Sequence, residues 1–308
     1  MKNRFLFSLL ILCSSLAVNA QQEAMFTHYM FNTQAVNPAY AGSRDALTVT
    51  GLHRSMWVGF KGAPITQTIT LHSPIFNNKF GIGLSVLNDK IGPTQFNSIA
   101  VDFAYRVKLS KKAKLAFGVK PSMMLRSAQL SSLALDTDGD NAFANNINNQ
   151  ITGNVGAGVY FYTNRFYAGI SSPAVLENKL DINSSSSEFA KYQRHYYFIT
   201  GAMLRMGTNV QFKPTALIKA TVKAPVEADL TASFVFNNKF WLGAMYRSGD
   251  AIGALLGLQL TEQLAVGYSF DWSYVNNTAK YNSGSHELML RYDFIFHNEK
   301  QIISPRYF

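Results

Sequence analysis

Apolar and polar residues alternate at period two along most of this chain. In Ile99–Lys108, Ile99, Val101, Phe103, Tyr105 and Val107 are apolar, and the residues between them are small or charged. Leu264, Val266, Tyr268, Phe270 and Trp272 alternate in the same way with Ala265, Gly267, Ser269, Asp271 and Ser273. Strand side chains project to opposite faces at this period, so each segment has one apolar face and one small or polar face. About fourteen such segments are expected, near 45–57, 64–74, 78–88, 94–108, 113–126, 153–162, 165–172, 194–206, 210–222, 228–236, 238–247, 251–260, 262–273 and 284–296. Each runs about ten residues, enough for a tilted strand to cross a bilayer. Connections after even-numbered segments are short, such as FNNK, SKK and YTNR. Those after odd-numbered segments are longer on average, as in Ser127–Thr152 and Pro173–Gln193. That asymmetry predicts an all-β fold, a transmembrane up-and-down antiparallel β-barrel with both termini on the short-turn, periplasmic side.

Composition sharpens the choice between a membrane barrel and a soluble sandwich. Aromatic residues make up 13% of the chain and charged residues only 15%, against about 25% charged in ordinary soluble domains. The polar face is dominated by Gly, Ala, Ser and Thr rather than by charge, which predicts a modest, occluded pore. Asn77-Asn78-Lys79-Phe80, Thr163-Asn164-Arg165-Phe166 and Asn237-Asn238-Lys239-Phe240 recur at short connections. Asn suits the left-handed backbone of a tight hairpin, and the Phe suits an interfacial girdle.

The ends of the chain read differently. Lys2 and Arg4, the apolar run Phe5–Val18 and the small-residue site ending at Ala20 predict a secretory signal peptide over 1–20. Its removal takes away the only cysteine, Cys13, and lowers the formal charge from +10 to +8. An N-terminal periplasmic leader is expected over 21–44, the barrel over 45–296 and a periplasmic tail over 297–308. An exported basic chain points to anionic lipid or an acidic surface polymer, not to nucleic acid. Outer-membrane lipid is therefore an expected partner.

Chemistry finds little footing. The six histidines form no metal-ligand spacing, and no G-x-S-x-G or phosphate loop is present. Asp136–Asn141 fails as a calcium loop because Gly139 stands fourth and Ile147 stands where a Glu is required. No catalytic residue, metal or cofactor is expected.

The N-terminal block carries the specific signal. Its ordered words are F-T-x-Y-M-F-N, N-P-A-Y-A-G-S, H-R-x-x-W-V-G-F-x-G-A-P-x-T-Q-T and H-S-P, within Phe26–Ile75. This block resembles the start of the PorP/SprF family, outer-membrane proteins of the type IX secretion system of Bacteroidetes. The resemblance implies a non-enzymatic component that supports secretion or surface anchoring of cargo such as gliding adhesins. Implied partners are periplasmic ring lipoproteins of the machinery, the C-terminal sorting domain of cargo, or both. A passive channel for small solutes is the alternative. The motif positions expected to form a structural or docking element are Phe26, Tyr29, Asn37, Pro38, Tyr40, Gly42, Arg54, Trp57, Gly62, Pro64 and Gln67. The segment Phe31–Ser43 reads as neither helix nor strand, and it leaves open whether the leader packs on its own barrel or reaches a partner.

Overall fold

The protein is described by a computed structural model over residues 24–133, 146–178, 192–222, 224–274 and 282–295. The expected signal peptide, the Asp136–Asn141 segment and the C-terminal tail lie outside these residues. Fourteen strands form one antiparallel sheet: β1 (Leu47–Ser55), β2 (Ile65–Ile75), β3 (Phe80–Ile91), β4 (Thr94–Lys108), β5 (Ala113–Ala128), β6 (Ile147–Thr163), β7 (Phe166–Ser172), β8 (His195–Ala202), β9 (Val210–Thr221), β10 (Glu227–Phe236), β11 (Phe240–Arg247), β12 (Ala251–Gln259), β13 (Leu264–Ser273) and β14 (Ser285–Phe294). Each pairs with its sequence neighbours. The last strand pairs with the first, from Leu47 opposite Phe294 to Ser55 opposite His286. The sheet therefore closes and leaves no edge to recruit another chain.

Two strands differ from the sequence reading. β6 begins at Ile147 because its polar start, Ile147–Gln150, pairs with the end of β5 beyond a register shift between Arg126 and Ala128. β8 breaks at Met203, and only the pair Leu204–Arg205 continues it, opposite Gln211 and Phe212. Met203 itself is buried and keeps the inward phase of His195, Tyr197 and Ile199, so the break interrupts the pairing without reversing the faces.

The outer face is the apolar one. Ile69, Phe103, Ile170, Leu256 and Leu288 are all exposed in the isolated chain, and an apolar band of this kind needs a lipid solvent. Aromatics border it at both ends. Phe76, Phe80, Phe166 and Phe240 stand near the short turns, and Tyr196, Tyr246, Trp272 and Tyr274 near the longer loops. Two short turns have the predicted chemistry. Asn77 and Asn78 have φ of 53° and 60°, and Asn237 and Asn238 have 50° and 56°, with Lys79 and Lys239 N–H donating back to the Phe76 and Phe236 carbonyls. These left-handed Asn pairs form the tight bend within connections of three residues between the paired Phe236 and Phe240 and four between Ile75 and Phe80. At the third repeat the Thr163 hydroxyl instead accepts from the Arg165 and Phe166 N–H groups.

Candidate functional site in the lumen

The lumen is not empty. Residues 24–44 run inside it as three single turns, Tyr29–Phe31, Thr33–Val36 and Pro38–Tyr40, the outer two of 3-10 type and the middle one α-helical. Sequence reading assigned no helix here, because four residues are too few to show a period. Pro38 opens its turn where a missing N–H costs nothing, and the Asn37 side chain caps it by accepting from the Ala39 N–H at 3.0 Å. Single turns leave many backbone groups without partners of their own. The wall supplies some of these, with Lys120 Nζ donating to the Gln34 and Ala35 carbonyls at 2.9 and 3.1 Å. In return Gln34 Nε2 donates to Asp102 Oδ2 at 2.8 Å and Asn37 Nδ2 to the Val159 carbonyl at 3.1 Å.

Close approach is built into the wall. At Gly81 an added Cβ would meet the Ala41 carbonyl, and at Gly118 it would meet the backbone of Pro38 and Ala39. Only glycine lets the leader lie directly on the strands at these points. Aromatic contacts fill the remaining space. The Phe31 ring lies 5.1 Å from that of Trp241, and Tyr40 meets His72 and Tyr160 edge-on at 5.3 and 5.5 Å.

Charge fixes the leader at both ends. Towards the longer loops, Arg54 is 1% exposed and reaches Asp271 Oδ2 at 2.6 Å, Glu287 Oε2 at 3.3 Å and the Thr27 hydroxyl at 2.9 Å. Glu287 also accepts from the Thr27 and His28 N–H groups, both at 2.8 Å. Towards the short turns, Arg44 forms a two-pronged pair with Asp293 at 3.1 and 2.9 Å. Arg106 donates to the Gly42 and Phe80 carbonyls. The leader thus spans the lumen lengthwise, from the long-loop end at Thr27 to the short-turn end at Arg44, before the chain turns into β1.

The sequence-selected residues fall into three groups. Phe26, Tyr29, Asn37, Pro38, Tyr40, Gly42 and Arg54 all belong to the plugged lumen. The Tyr29 hydroxyl reaches Thr215 Oγ1 at 3.0 Å and the Asp229 carbonyl at 3.2 Å. Gly42, at φ 71°, donates its N–H to His72 Nδ1 at 3.1 Å. Trp57, Gly62 and Pro64 instead shape the β1–β2 loop at the long-loop rim. There Pro64 accepts from the Met56 N–H and Gly62 from the Gly92 N–H, each at 2.9 Å, while Val58 and Phe60 are exposed. Gln67 faces outward, 3.1 Å from His53 Nδ1. Sequence reasoning missed the wall partners: Asp102, Lys120, Asp229, Asp271, Glu287 and Asp293. Their only signal is a charge at the inward position of an alternating strand, which looks the same whether that face meets water or a plug.

Comparison with known proteins decides the family. The model of the type IX secretion system membrane protein PorP/SprF matches residues 18–292. The chain belongs to the PorP/SprF family. No curated protein matches it. Among solved structures, the chain is similar to the Acinetobacter baumannii outer membrane protein Omp33 (13% identity, 83% of this chain and 100% of that one, TM-score 0.44). It is also similar to a Pseudomonas aeruginosa FadL homologue (14%, 92% and 96%, 0.48) and to the CymD monoaromatic hydrocarbon channel (9%, 89% and 94%, 0.49). For this PorP/SprF member the closed strand pairing and lipid-type outer face themselves establish an outer-membrane barrel, and membership makes it a type IX secretion component.

Proposed function

We propose that this PorP/SprF protein is a non-enzymatic docking and anchoring element of type IX secretion and not a conduit. The observation that carries the reading is the plug. Its own leader occupies the lumen and is fixed by buried ion pairs at both ends, so neither folded cargo nor a free stream of solutes has a path. Binding then falls to surfaces at the barrel ends. The β1–β2 loop supports a role in holding a cargo sorting domain, because the specific motif Trp57–Pro64 presents Val58 and Phe60 at the rim. The short-turn end is the face available to periplasmic ring lipoproteins, with the leader entering β1 there. Residues 26–42 act from inside, as the scaffold that keeps these ends in register.

Deletion of the gene in its type IX-competent host tests this. The expected result is loss of surface display of at least one cargo, restored by the wild-type gene and not by a copy with Val58 and Phe60 changed to Ser. Normal display of every cargo in the deletion strain would overturn the proposal. Planar-bilayer recording addresses the channel reading separately, with no steady small-solute conductance expected from the intact chain.

A further inference from the structure

Four of the seven residues from 108 to 114 are lysine, and they crowd the one short turn between β4 and β5. Lys108 stands directly opposite Lys114 in the strand register, and Lys111 and Lys112 are exposed at the tip. Like charges that face each other across a strand pair destabilise it. The short turns on either side add the same sign, with Lys79 between β2 and β3 and Arg165 between β6 and β7, both exposed. The Lys79 carbonyl accepts from the Arg106 N–H at 2.8 Å, which ties its turn to β4. Among the described residues one carboxylate pairs with this arc of six cations, Asp45 Oδ1 at 3.5 Å from Lys114 Nζ. The other three short turns carry a single charged residue each, Arg205, Lys239 and Glu262.

Apolar groups lie among these cations. Phe76, in the turn with Lys79, is 76% exposed, and Leu109, between Lys108 and Lys111, is 56% exposed. Next to them Phe80, Tyr105, Phe117 and Phe166 are exposed on the outer face. The Phe80 ring lies 6.1 Å from that of Phe76 and 5.2 Å from that of Tyr105, so the aromatics run on from the turn into the lipid-facing band. An acidic protein surface would answer the lysines and leave Phe76 and Leu109 without a use. An amphipathic anion answers both, with its charge at the lysines and its hydrocarbon on the aromatics. Lysine stems lie readily along apolar surface while their heads stay at the polar boundary, and basic clusters at that boundary attract anionic lipid. We propose that this arc, centred on the β4–β5 turn, binds anionic phospholipid headgroups of the periplasmic leaflet. A zwitterionic headgroup carries its own cation and relieves the lysine repulsion less, so lipids of net negative charge are selected. The site does not rest on the secretion reading, and it leaves the turns after β8, β10 and β12 open to periplasmic partners.

The test uses the full mature chain reconstituted in vesicles at low ionic strength. Cys13 is the only cysteine and lies in the expected signal peptide, so Phe117→Cys gives the mature chain a single site for a fluorescent label below the arc. Phosphatidylglycerol with brominated chains should quench that label at about a fivefold lower mole fraction than brominated phosphatidylcholine, the preference one interfacial cation supplies. A label at Leu258→Cys, beside the turn that carries Glu262, should be quenched alike by both. Lys79→Gln, Lys108→Gln, Lys111→Gln and Lys112→Gln together should remove the preference at Phe117→Cys, and so should about 1 M NaCl, which screens exposed charges. Equal quenching by the two lipids at Phe117→Cys, the same preference at Leu258→Cys, or a preference that survives the four Gln changes would overturn the proposal. Tight binding of polyglutamate by the chain in detergent, with no preference between the lipids, would overturn it in favour of an acidic polypeptide.

Discussion

Arg54→Met is the most informative single change in the plug. Arg54 holds two carboxylates that are themselves buried, Asp271 at 1% and Glu287 at 0% side-chain exposure. Removing the guanidinium leaves both in a dry lumen. Besides the bonds from the Thr27 and His28 N–H groups and the Thr27 hydroxyl, the other basic groups near them are His28 Nδ1, at 2.8 Å from Glu287, and Arg247, at 3.9 Å from Asp271. Breaking a buried pair by deleting one partner costs about 3–5 kcal/mol. The leader is the part able to move away and admit water, so the cost falls on its seating, about a 10²–10⁴-fold shift toward an open form. Hydrogen exchange of peptides covering 24–36, in detergent or nanodiscs, reads that shift directly, with strands β3 to β5 as internal reference. A second variant isolates the cause. Arg54→Met combined with Asp271→Asn and Glu287→Gln removes all three charges, and neutral replacement of a buried network is far less costly than its rupture. Protection should then return most of the way to wild type. Equal protection in Arg54→Met and wild type would refute the reasoning, as would a triple variant no better protected than the single one.

Further outcomes follow from the same contacts. Gly118→Val puts a side chain where Pro38 and Ala39 lie, so the leader should fail to seat and bilayer conductance should appear in a chain that otherwise still folds. Tyr29→Phe loses the bond to Thr215 and should lower stability by about 1 kcal/mol, seen in urea-induced unfolding from lipid. Asn78→Ala, at φ 60°, should cost about 1–2 kcal/mol through the left-handed penalty and slow refolding into vesicles. Closure of the lumen should persist at 1 M salt, because the Debye length falls to about 3 Å only in solvent and the plug's ion pairs are screened much less.

The wall of this protein was legible because each strand repeats a two-residue rule, and β4 or β13 states it without interruption. Strand ends were less so. Ile147–Gln150 carries no apolar alternation and is held by its pairing to the end of β5, across the connection between the two strands. The leader's motif words stood out, but its location did not. Asn37 bonds to Val159 and Thr27 to Glu287, partners 122 and 260 residues away, and no local pattern encodes such a distance. Charges on the inner face misled in the same way. The expectation of a lumen lined by small residues holds at Gly81 and Gly118 but misses Arg54, Asp102 and Glu287, whose partners come from the leader or from strands on the other side of the closing seam.

The closing seam links the beginning of the chain to its end. Thr27, His28 and Arg44 take carboxylate partners from Glu287 and Asp293 on β14, and Arg54 reaches Glu287 there as well as Asp271 on β13; β14 is the last strand to be made. A nascent barrel cannot complete these bonds until β14 has arrived beside β1 in the right register, since a slip of one residue would turn both carboxylates outward to lipid. The plug therefore works as a latch on assembly: it locks when the full chain is present and correctly closed, and a truncated or slipped barrel keeps an unfastened leader.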